Sequence, residues 1–158
     1  DVDVAGNLTG DPRCAQLSDE DIDKYRLFEG DFLFARSGAT VGKSFLYRRE
    51  HGFCVYAGYM IRFRPDPSIL LPEVLFRYTQ TYAYWRWIES NSRAVAQPNI
   101  NAKMYSELPV ARPPLDLQQH FAAIVESVEQ QKVAQRAHLM ELDTLFAALQ
   151  QRAFGGEL

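Results

Sequence analysis

The stretch GDFLFARSGATVGKSFL, residues 30 to 46, decides how the first part of the chain folds. A turn at residues 29 to 31 precedes the apolar run Phe32 to Ala35, which has the length of a buried strand. Small polar residues at 37 to 43 predict a loop, and residues 44 to 48 predict the next strand. We expect this loop to be a tight connection in which glycines supply the backbone freedom.

Further strands are predicted on the C-terminal side, at residues 53 to 56 and 59 to 64. The second of these alternates in character, so residues 59, 61 and 63 share one face and residues 60, 62 and 64 the other. On the N-terminal side, Ser18 can cap a short helical turn. Together these segments predict a small mixed α+β domain.

Helical spacing begins where the strands end. Pro72 suits the first position of a helix, and apolar residues then recur at helical intervals as far as Ile88. The polar segment from 91 to 101 contains Pro98 and predicts a loop. Asn101 or a neighbour is expected to cap a short helix that runs through Tyr105.

The chain changes character after Pro114. Residues 116 to 153 contain neither Gly nor Pro, which predicts one helix of roughly 55 Å with Asp116 as its N-cap and Gly155-Gly156 as its stop. Seven apolar positions lie on one broad face and are predicted to pair with another helix: Phe121, Val125, Val128, Leu139, Leu142, Phe146 and Leu149. Packing of this helix on its own domain is the alternative.

The composition is that of a globular protein. Of 158 residues, 47% are hydrophobic and 23% charged, which excludes disordered and collagen-like classes. No apolar run has the 18 to 20 residues that a membrane span needs, and no signal peptide is recognisable. Because the chain lacks an initiator Met, we expect a fragment or a missing start. Two cysteines and three scattered histidines lack metal-ligand spacing, so we expect no metal site and a cytoplasmic location.

Charge is segregated along the chain. Residues 1 to 23 carry a net charge of −6, residues 24 to 112 carry +6, and residues 113 to 158 carry −3. The basic part contains ten Arg but only three Lys. Because Arg binds phosphate and guanine edges bidentately, this imbalance is typical of a polyanion-binding domain, while a merely solvated basic face explains it equally well.

The loop at 37 to 44 resembles a phosphate-binding loop because it ends in Gly-Lys-Ser. Its spacing is one residue short of G-x-x-x-x-G-K-[ST], and a strand rather than a helix is predicted after it. A nucleotide-binding fragment is therefore only an alternative. Cations, hydroxyls and backbone N–H groups suit contacts with DNA instead. The predicted DNA-binding residues around this loop are Arg36, Ser37, Gly38, Thr40, Lys43, Arg48 and Arg49.

The amide-rich loop at 91 to 101 supplies a second group. Asn and Gln can read adenine bidentately, although such amides equally often hold a loop together. The predicted DNA-binding residues here are Arg93, Gln97, Asn99 and Asn101. No nucleophile–base pair, paired carboxylates or metal cluster is recognisable in the sequence, so no catalytic residue is predicted.

Several of these segments, in this order, resemble the specificity subunit of type I restriction–modification systems. The residues that carry the resemblance are Gly30 to Lys43, Gln97 to Asn101, Leu108-Pro109-Val110, Pro113-Pro114-Leu115 with Gln118-Gln119, and Arg152 to Leu158. The resemblance implies a target-recognition domain (residues 1–114, lacking its usual start) and a long spacer or dimerisation helix with a C-terminal tail (residues 115–158). It also implies an antiparallel coiled coil between this helix and another of its kind.

The resemblance further implies a non-catalytic subunit that reads one half of a bipartite site in double-stranded DNA. Expected partners are methyltransferase subunits, a restriction subunit, and a second recognition half or a homodimer mate. S-adenosylmethionine, ATP and Mg²⁺ would bind to those partners, and no cofactor is expected in this chain. A protein-interaction module that meets an acidic protein is a further alternative. The target base sequence cannot be read from the residues.

Overall fold

The computed structural model describes residues 2–8, 16–92 and 98–156. The chain forms two compact units, residues 1–118 and 119–158. The division into a recognition domain and a helix at 114/115 rests on the sequence and stays a prediction.

A three-stranded antiparallel sheet lies at the centre of the first unit. Its strands are β1 (Phe32–Ala35), β2 (Ser44–Leu46) and β3 (Met60–Phe63), in the spatial order β2-β1-β3. In the register, Phe34 lies opposite Ser44 on one side and Ile61 on the other. The strands predicted from residues 32, 44 and 59 onward are thus confirmed, with shorter ends for the last two.

Five α-helices accompany the sheet in the described residues. They are α1 (Asp19–Tyr25), α2 (Pro72–Tyr78), α3 (Tyr82–Ser92), α4 (Ala102–Ser106) and α5 (Leu115–Phe154). The predicted caps at Ser18 and Asn101 are confirmed, because their side chains accept the backbone N–H groups of Asp21 and Met104. Pro72 begins α2 as predicted.

The two faces of β1 are buried in different apolar clusters, because successive side chains point to opposite sides of a sheet. Phe32 and Phe34 belong to the larger cluster, with α2, α3, α4 and Ile100. Leu33 belongs to a smaller cluster with Leu27, Phe45 and Tyr47. On β3, residues 61 and 63 pack on the larger cluster and residue 60 on the smaller, which confirms the predicted alternation.

Three predictions about local structure are wrong. Residues 53 to 56 form only an isolated bridge between Val55 and Arg26, because the facing segment is helical as far as Tyr25. The helix expected to continue to Ile88 is interrupted, since the Thr79 hydroxyl turns back to the Phe76 carbonyl (2.7 Å) and the Thr81 hydroxyl accepts the N–H of Tyr84 (3.4 Å).

The third error concerns the N-cap of the long helix. Asp116 lies inside the first turn of α5, because the helix already begins at Leu115. A carboxylate there still favours the positive end of the helix dipole. The expected stop is confirmed, since the helix ends at Phe154 and Gly156 has a φ of +77°.

One buried amide anchors the first turn of α5 within the first unit. Gln118 is 1% exposed, and its side-chain oxygen accepts the N–H of Leu71 at 2.8 Å. Its side-chain nitrogen donates to the carbonyls of Ile69 (3.0 Å) and Pro113 (2.8 Å). Only a primary amide can both accept and donate in this way, so three backbone groups are satisfied by one buried side chain.

Candidate nucleic-acid interface

The two loops that the sequence singles out lie against each other. The Gly38 N–H donates to the Pro98 carbonyl (3.2 Å), and the Ile100 N–H donates to the Arg36 carbonyl (2.8 Å). Between these bonds, Ser37 and Asn99 form an antiparallel bridge. Ser37 and Asn99 therefore lie opposite each other, and Arg36, Gly38 and Thr40 lie within three residues of Ser37. We call the region formed by Arg36, Ser37, Gly38, Thr40 and Asn99 the loop surface.

Two buried tyrosines hydrogen-bond to the backbone on either side of the loop. The Tyr84 hydroxyl donates to the Gly42 carbonyl at 2.6 Å, and the Tyr105 hydroxyl donates to the Ala35 carbonyl at 3.0 Å. Burial raises the pKa of both phenols, that of Tyr105 to about 12, and electrostatic repulsion from the Tyr105 phenol is a second cause for Tyr84. Both phenols therefore stay neutral donors at physiological pH.

Two glycines give the loop its path. Gly42 has a φ of +86°, and a Cβ there would lie 2.9 Å from the Ile88 side chain. Gly38 has a φ of +71°, and nothing lies within 4 Å of the position of its Cβ. Gly42 therefore allows a close approach to α3, whereas Gly38 leaves the backbone open on its outer side.

Polar side chains on the loop surface remain available for a ligand. Among the described residues the Arg36 guanidinium has no hydrogen-bond acceptor, and Asn99 is exposed. The Thr40 hydroxyl donates to the Ser37 carbonyl at 3.3 Å, which leaves its oxygen free to accept. One cation, hydroxyl groups and an amide thus lie together, in keeping with the groups that contact DNA phosphates and base edges.

Two other predicted residues are engaged inside the protein. The Lys43 ammonium donates to the Val2 carbonyl at 2.8 Å, so it is directed to the N-terminal segment. The Asn101 side-chain oxygen accepts the N–H of Met104 at 3.0 Å and thereby caps α4. The sequence had left open whether Asn101 only stabilises its own loop, and the structure shows that it does cap a helix. A DNA contact by either residue stays a prediction.

Arg48 and Arg49 are not part of the loop surface. They follow β2, whose antiparallel pairing with β1 puts them at the other end of the hairpin, about 20 Å away along the strand. Arg48 forms a short ion pair with Glu73, which also binds Arg77. The Arg49 side chain is exposed, and its N–H donates to Glu29. Predicted residues Arg93 and Gln97 lie outside the described residues.

A second group of arginines was missed from the sequence. Arg26 stacks between Phe28 (5.4 Å) and Phe53 (5.3 Å). Arg64 also lies over Phe28, and Arg62 lies over Tyr56. We call this the arginine–aromatic surface, and its members are Arg26, Phe28, Phe53, Tyr56, Arg62 and Arg64. The alternation of β3 had put Arg62 and Arg64 on one face, but it could not show the rings brought to them from residues 26 to 56.

The predicted pairing residues all lie on α5. At 100° per residue they fall within an arc of roughly 120°. Six of the seven are exposed, from Phe121 at 41% to Leu142 and Phe146 at 62%, and Val125 is partly exposed. The helix thus presents an apolar stripe, although a pairing helix is not part of the structure.

The geometry does not support nucleotide binding at the loop. A phosphate-binding loop runs directly into a helix, whereas residues 44 to 46 form strand β2. In the part of the chain that the structure describes, no group of three His, Cys, Asp or Glu side chains could hold a metal ion. Among the same residues, no helix is long and apolar enough to cross a membrane.

Comparisons with known proteins identify the family. Residues 8–141 match the type I restriction modification DNA specificity domain, and the chain belongs to this family. The resemblance inferred from the sequence is thereby confirmed, and the family supports a DNA-specificity role without catalysis. The nucleotide-binding alternative receives no support.

One curated relative and one solved structure are similar to the chain. A protein of Methanocaldococcus jannaschii named as the type I restriction enzyme MjaX specificity subunit is 30% identical over 118 residues, which covers 72% of this chain and 27% of the relative. A chain described in work on the complex assembly and conformational transition of the type I R-M system matches with a TM-score of 0.58 at 18% identity. That match covers 84% of this chain and 34% of the other. The chain thus spans about a third or less of each, and the structural match supports the α+β fold with a long helix.

Proposed function

We propose that this chain is the DNA sequence-recognition part of a type I restriction–modification complex. It reads one half of a bipartite site in double-stranded DNA and directs methyltransferase and restriction subunits there. The observation that carries the proposal is the loop surface, where Arg36, Ser37, Gly38, Thr40 and Asn99 lie together on a domain of the DNA-specificity family.

The loop surface suits a combination of phosphate and base contacts. Arg36 is the cation that would bind a phosphate or a guanine edge, and Asn99 is the amide that would pair with adenine. The open outer side of Gly38 lets the backbone approach the DNA closely. Thr40 and Ser37 supply hydroxyls for phosphate oxygens. In this assignment Lys43 contributes its positive charge where it stands, and it makes a direct contact with DNA only if it leaves the Val2 carbonyl.

The long helix would pair with another helix through the apolar stripe of α5. Its partner is a second recognition half or a second copy of the chain, and an antiparallel arrangement would set the spacing between the two half-sites. Support comes from the arc of roughly 120° that the seven apolar residues share and from their exposure. The domain of residues 1–114 would then carry the DNA contacts and residues 115–158 the pairing.

The chain itself would not perform chemistry. S-adenosylmethionine, ATP and Mg²⁺ would be held by the methyltransferase and restriction subunits, and the complex would work in the cytoplasm. This division follows from the family and not from any feature of the loop surface.

Replacing Arg36 tests the DNA assignment. We expect Arg36→Ala to weaken duplex binding about tenfold and to reduce the slope of log affinity against log salt by about one, because one phosphate or guanine contact is lost. A gel-shift titration at several salt concentrations measures both quantities. The matched control is Arg136→Ala, an exposed arginine on α5 outside the predicted DNA-binding groups, which should change neither. Equal effects of the two substitutions would remove the loop surface from the DNA interface.

Charged residues on the stripe test the pairing. We expect the Leu142→Glu and Leu149→Glu double variant to dissociate the assembly while the recognition domain stays folded, because two carboxylates would be buried in the pairing seam. Sedimentation measures the assembly, and circular dichroism the fold. The control pair Thr144→Glu and Gln151→Glu has the same spacing on the opposite face and should leave the assembly intact. An assembly that survives the first pair would exclude this face.

A further inference from the structure

The loop at 36–42 joins the sheet through a narrow neck. The Gly42 N–H donates to the Ala35 carbonyl at 3.1 Å, and the Ala35 N–H donates to the Lys43 carbonyl at 2.9 Å. The carbonyls of Ala35 and Gly42 also accept hydrogen bonds from tyrosine hydroxyls. The neck is therefore the base from which the residues of the loop surface project, and any shift of the neck moves them.

The two tyrosines come from the helices on either side of the second loop. Tyr84 lies on α3, before the segment at 98–101, and Tyr105 lies on α4, directly after it. Their hydroxyls donate to the Gly42 carbonyl at 2.6 Å and to the Ala35 carbonyl at 3.0 Å. The helices that flank the second loop are thus each bonded to the neck of the first.

These two hydroxyls are buried side by side. Tyr84 is 0% exposed and Tyr105 is 4% exposed, and the Tyr105 ring stacks on Phe34 with the centroids 4.2 Å apart. Burial raises the pKa of both phenols, and the hydroxyl of each also shifts the pKa of the other. Hydrogen bonds in such dry surroundings are stronger than those in water, so the two tyrosines hold the neck firmly.

The direct contacts between the two loops lie nearer to solvent. Of residues 36–38 and 98–100, which face each other, only Ile100 is buried. Ser37 is partly exposed and Asn99 is exposed, so water competes for the hydrogen bonds around them. The relative position of the two loops therefore depends on the buried tyrosines more than on the contacts at the loop surface.

Reading bases demands this accuracy, whereas attraction to phosphates does not. A guanidinium and an amide that bind base edges bidentately must be placed to within about 0.5 Å. The attraction of a cation to the phosphate backbone acts over a screening length of about 10 Å and tolerates larger shifts. A loosened neck would therefore reduce discrimination between sequences before it reduces general affinity for DNA.

We propose that Tyr84 and Tyr105 are positioning residues for DNA recognition, which hold the loops at 36–42 and 98–101 in the arrangement that lets Arg36 and Asn99 read bases together. The inference rests on the proposed function and deepens it, because it assigns part of the sequence discrimination to two hydroxyls that are buried away from the DNA. The cations of the domain supply the general affinity.

A random duplex library supplies the probes. The unsubstituted 158-residue chain selects sequences from this library, and the most enriched duplex and a shuffled version of it become the two probes. The affinity for each probe is measured at several salt concentrations. The ratio of the two affinities reports sequence discrimination, and the salt dependence reports the number of phosphate contacts.

The double variant Tyr84→Phe and Tyr105→Phe keeps both rings and removes only the hydroxyls. We expect its affinity for the enriched duplex to fall about tenfold, because a misplaced loop loses a base contact. Affinity for the shuffled duplex should stay within about twofold, and the salt dependence should be unchanged, because no cation is removed. Each single variant should show part of the same loss, which keeps the test decisive if the double variant does not fold.

The chain offers a matched control in Tyr78→Phe. The Tyr78 hydroxyl donates to the Pro109 carbonyl at 2.7 Å, so this substitution removes the same kind of bond at a place that belongs to neither loop. The ratio of the two affinities should be unchanged in this variant.

Sequence discrimination that survives in the folded tyrosine variants would overturn the proposal and leave the proposed function standing. An equal loss of affinity for both duplexes, or an equal loss of discrimination in Tyr78→Phe, would also overturn it, because either result indicates a general loosening of the domain. An unsubstituted chain that enriches no sequence would overturn the proposed function and this proposal with it. The selection step therefore separates the two failures.

Discussion

The two ends of the central sheet use arginine differently. At the Ala35 end, the loop surface is held together by main-chain hydrogen bonds between residues 36–38 and 98–100, and the Arg36 guanidinium is left without an acceptor in the described chain. At the Asp31 end, a buried carboxylate binds Arg62 and Arg64, which also lie over the rings of Tyr56 and Phe28. Main-chain hydrogen bonds build the loop surface and leave the Arg36 side chain without an acceptor, whereas a side-chain carboxylate orders Arg62 and Arg64.

This difference shows why a net basic charge does not locate a binding site. Arg48 belongs to the same basic stretch but is paired with Glu73, so it adds little positive field. A binding site is located by the guanidiniums whose N–H donors have no acceptor in the protein, and by the groups around them. Hydroxyls and an amide surround Arg36, while phenyl rings surround Arg26.

The largest effect is expected from Asp31→Leu, which would remove the carboxylate that binds Arg62 and Arg64. The substitution removes the acceptor of Arg64 and of the Phe28 N–H (2.9 Å) in a buried position. We expect a loss of about 3 to 5 kcal/mol in the free energy of unfolding, measured by urea denaturation. Glu50→Ala, at an exposed carboxylate 3.9 Å from Arg48, should change stability by less than about 0.5 kcal/mol. A small effect of Asp31→Leu would mean that Asp31 does not order the arginines.

A pair of glycine substitutions sharpens the comparison at the loop end. Gly42→Ala should cost about 2 to 4 kcal/mol, because a residue at φ +86° is strained and its Cβ would lie 2.9 Å from Ile88. Gly38→Ala should cost only about 1 to 2 kcal/mol, since its φ of +71° is unfavourable but the space is open. Thermal or urea unfolding of both variants measures the difference. Equal costs would show that the loop does not pack on α3 as described.

The smallest effect expected near neutral pH is that of removing the Tyr105 hydroxyl, whose contribution also depends on pH. Its pKa is raised to about 12 by burial, against about 10 in the unfolded chain, so the unfolded state loses its proton first. Between pH 10 and 12 this phenol should therefore lower the free energy of unfolding by about 1.4 kcal/mol per pH unit. Tyr105→Phe should cost about 1 kcal/mol at pH 8, where the bond to the Ala35 carbonyl is lost, and weaken the alkaline decline. A decline of unchanged steepness in the variant would contradict this account.

Local features of the sequence were sufficient for most of the elements. The apolar run at 32–35, the caps at Ser18 and Asn101, Pro72, and the lack of Gly and Pro after 116 each act within a few residues, so they can be read without tertiary information. The interruption after Tyr78 was missed although Thr81 offered a capping hydroxyl. A continuous apolar pattern concealed it, because α2 and α3 both pack on the same core.

The candidate site was harder to predict because it depends on residues far apart in the sequence. The loop at 36–43 and the segment at 98–101 were each recognised, but their pairing through Gly38 and Pro98 is not encoded in either one. Likewise, no pattern in the neighbouring sequence indicated that Glu73 pairs with Arg48 or that Asp31 binds Arg62 and Arg64. The composition indicated a basic domain, but only the fold determines which arginines keep guanidinium donors without an acceptor in the protein.

Site-specific photo-crosslinking tests most directly whether the loop end of the sheet is the one that faces DNA. A benzophenone amino acid is placed at Thr40 on the loop surface or at Phe53 on the arginine–aromatic surface, both of which are exposed. Each protein is then irradiated with a labelled duplex. The account predicts a DNA adduct from position 40 and little or none from position 53. An adduct from position 53 but not from position 40 would contradict it.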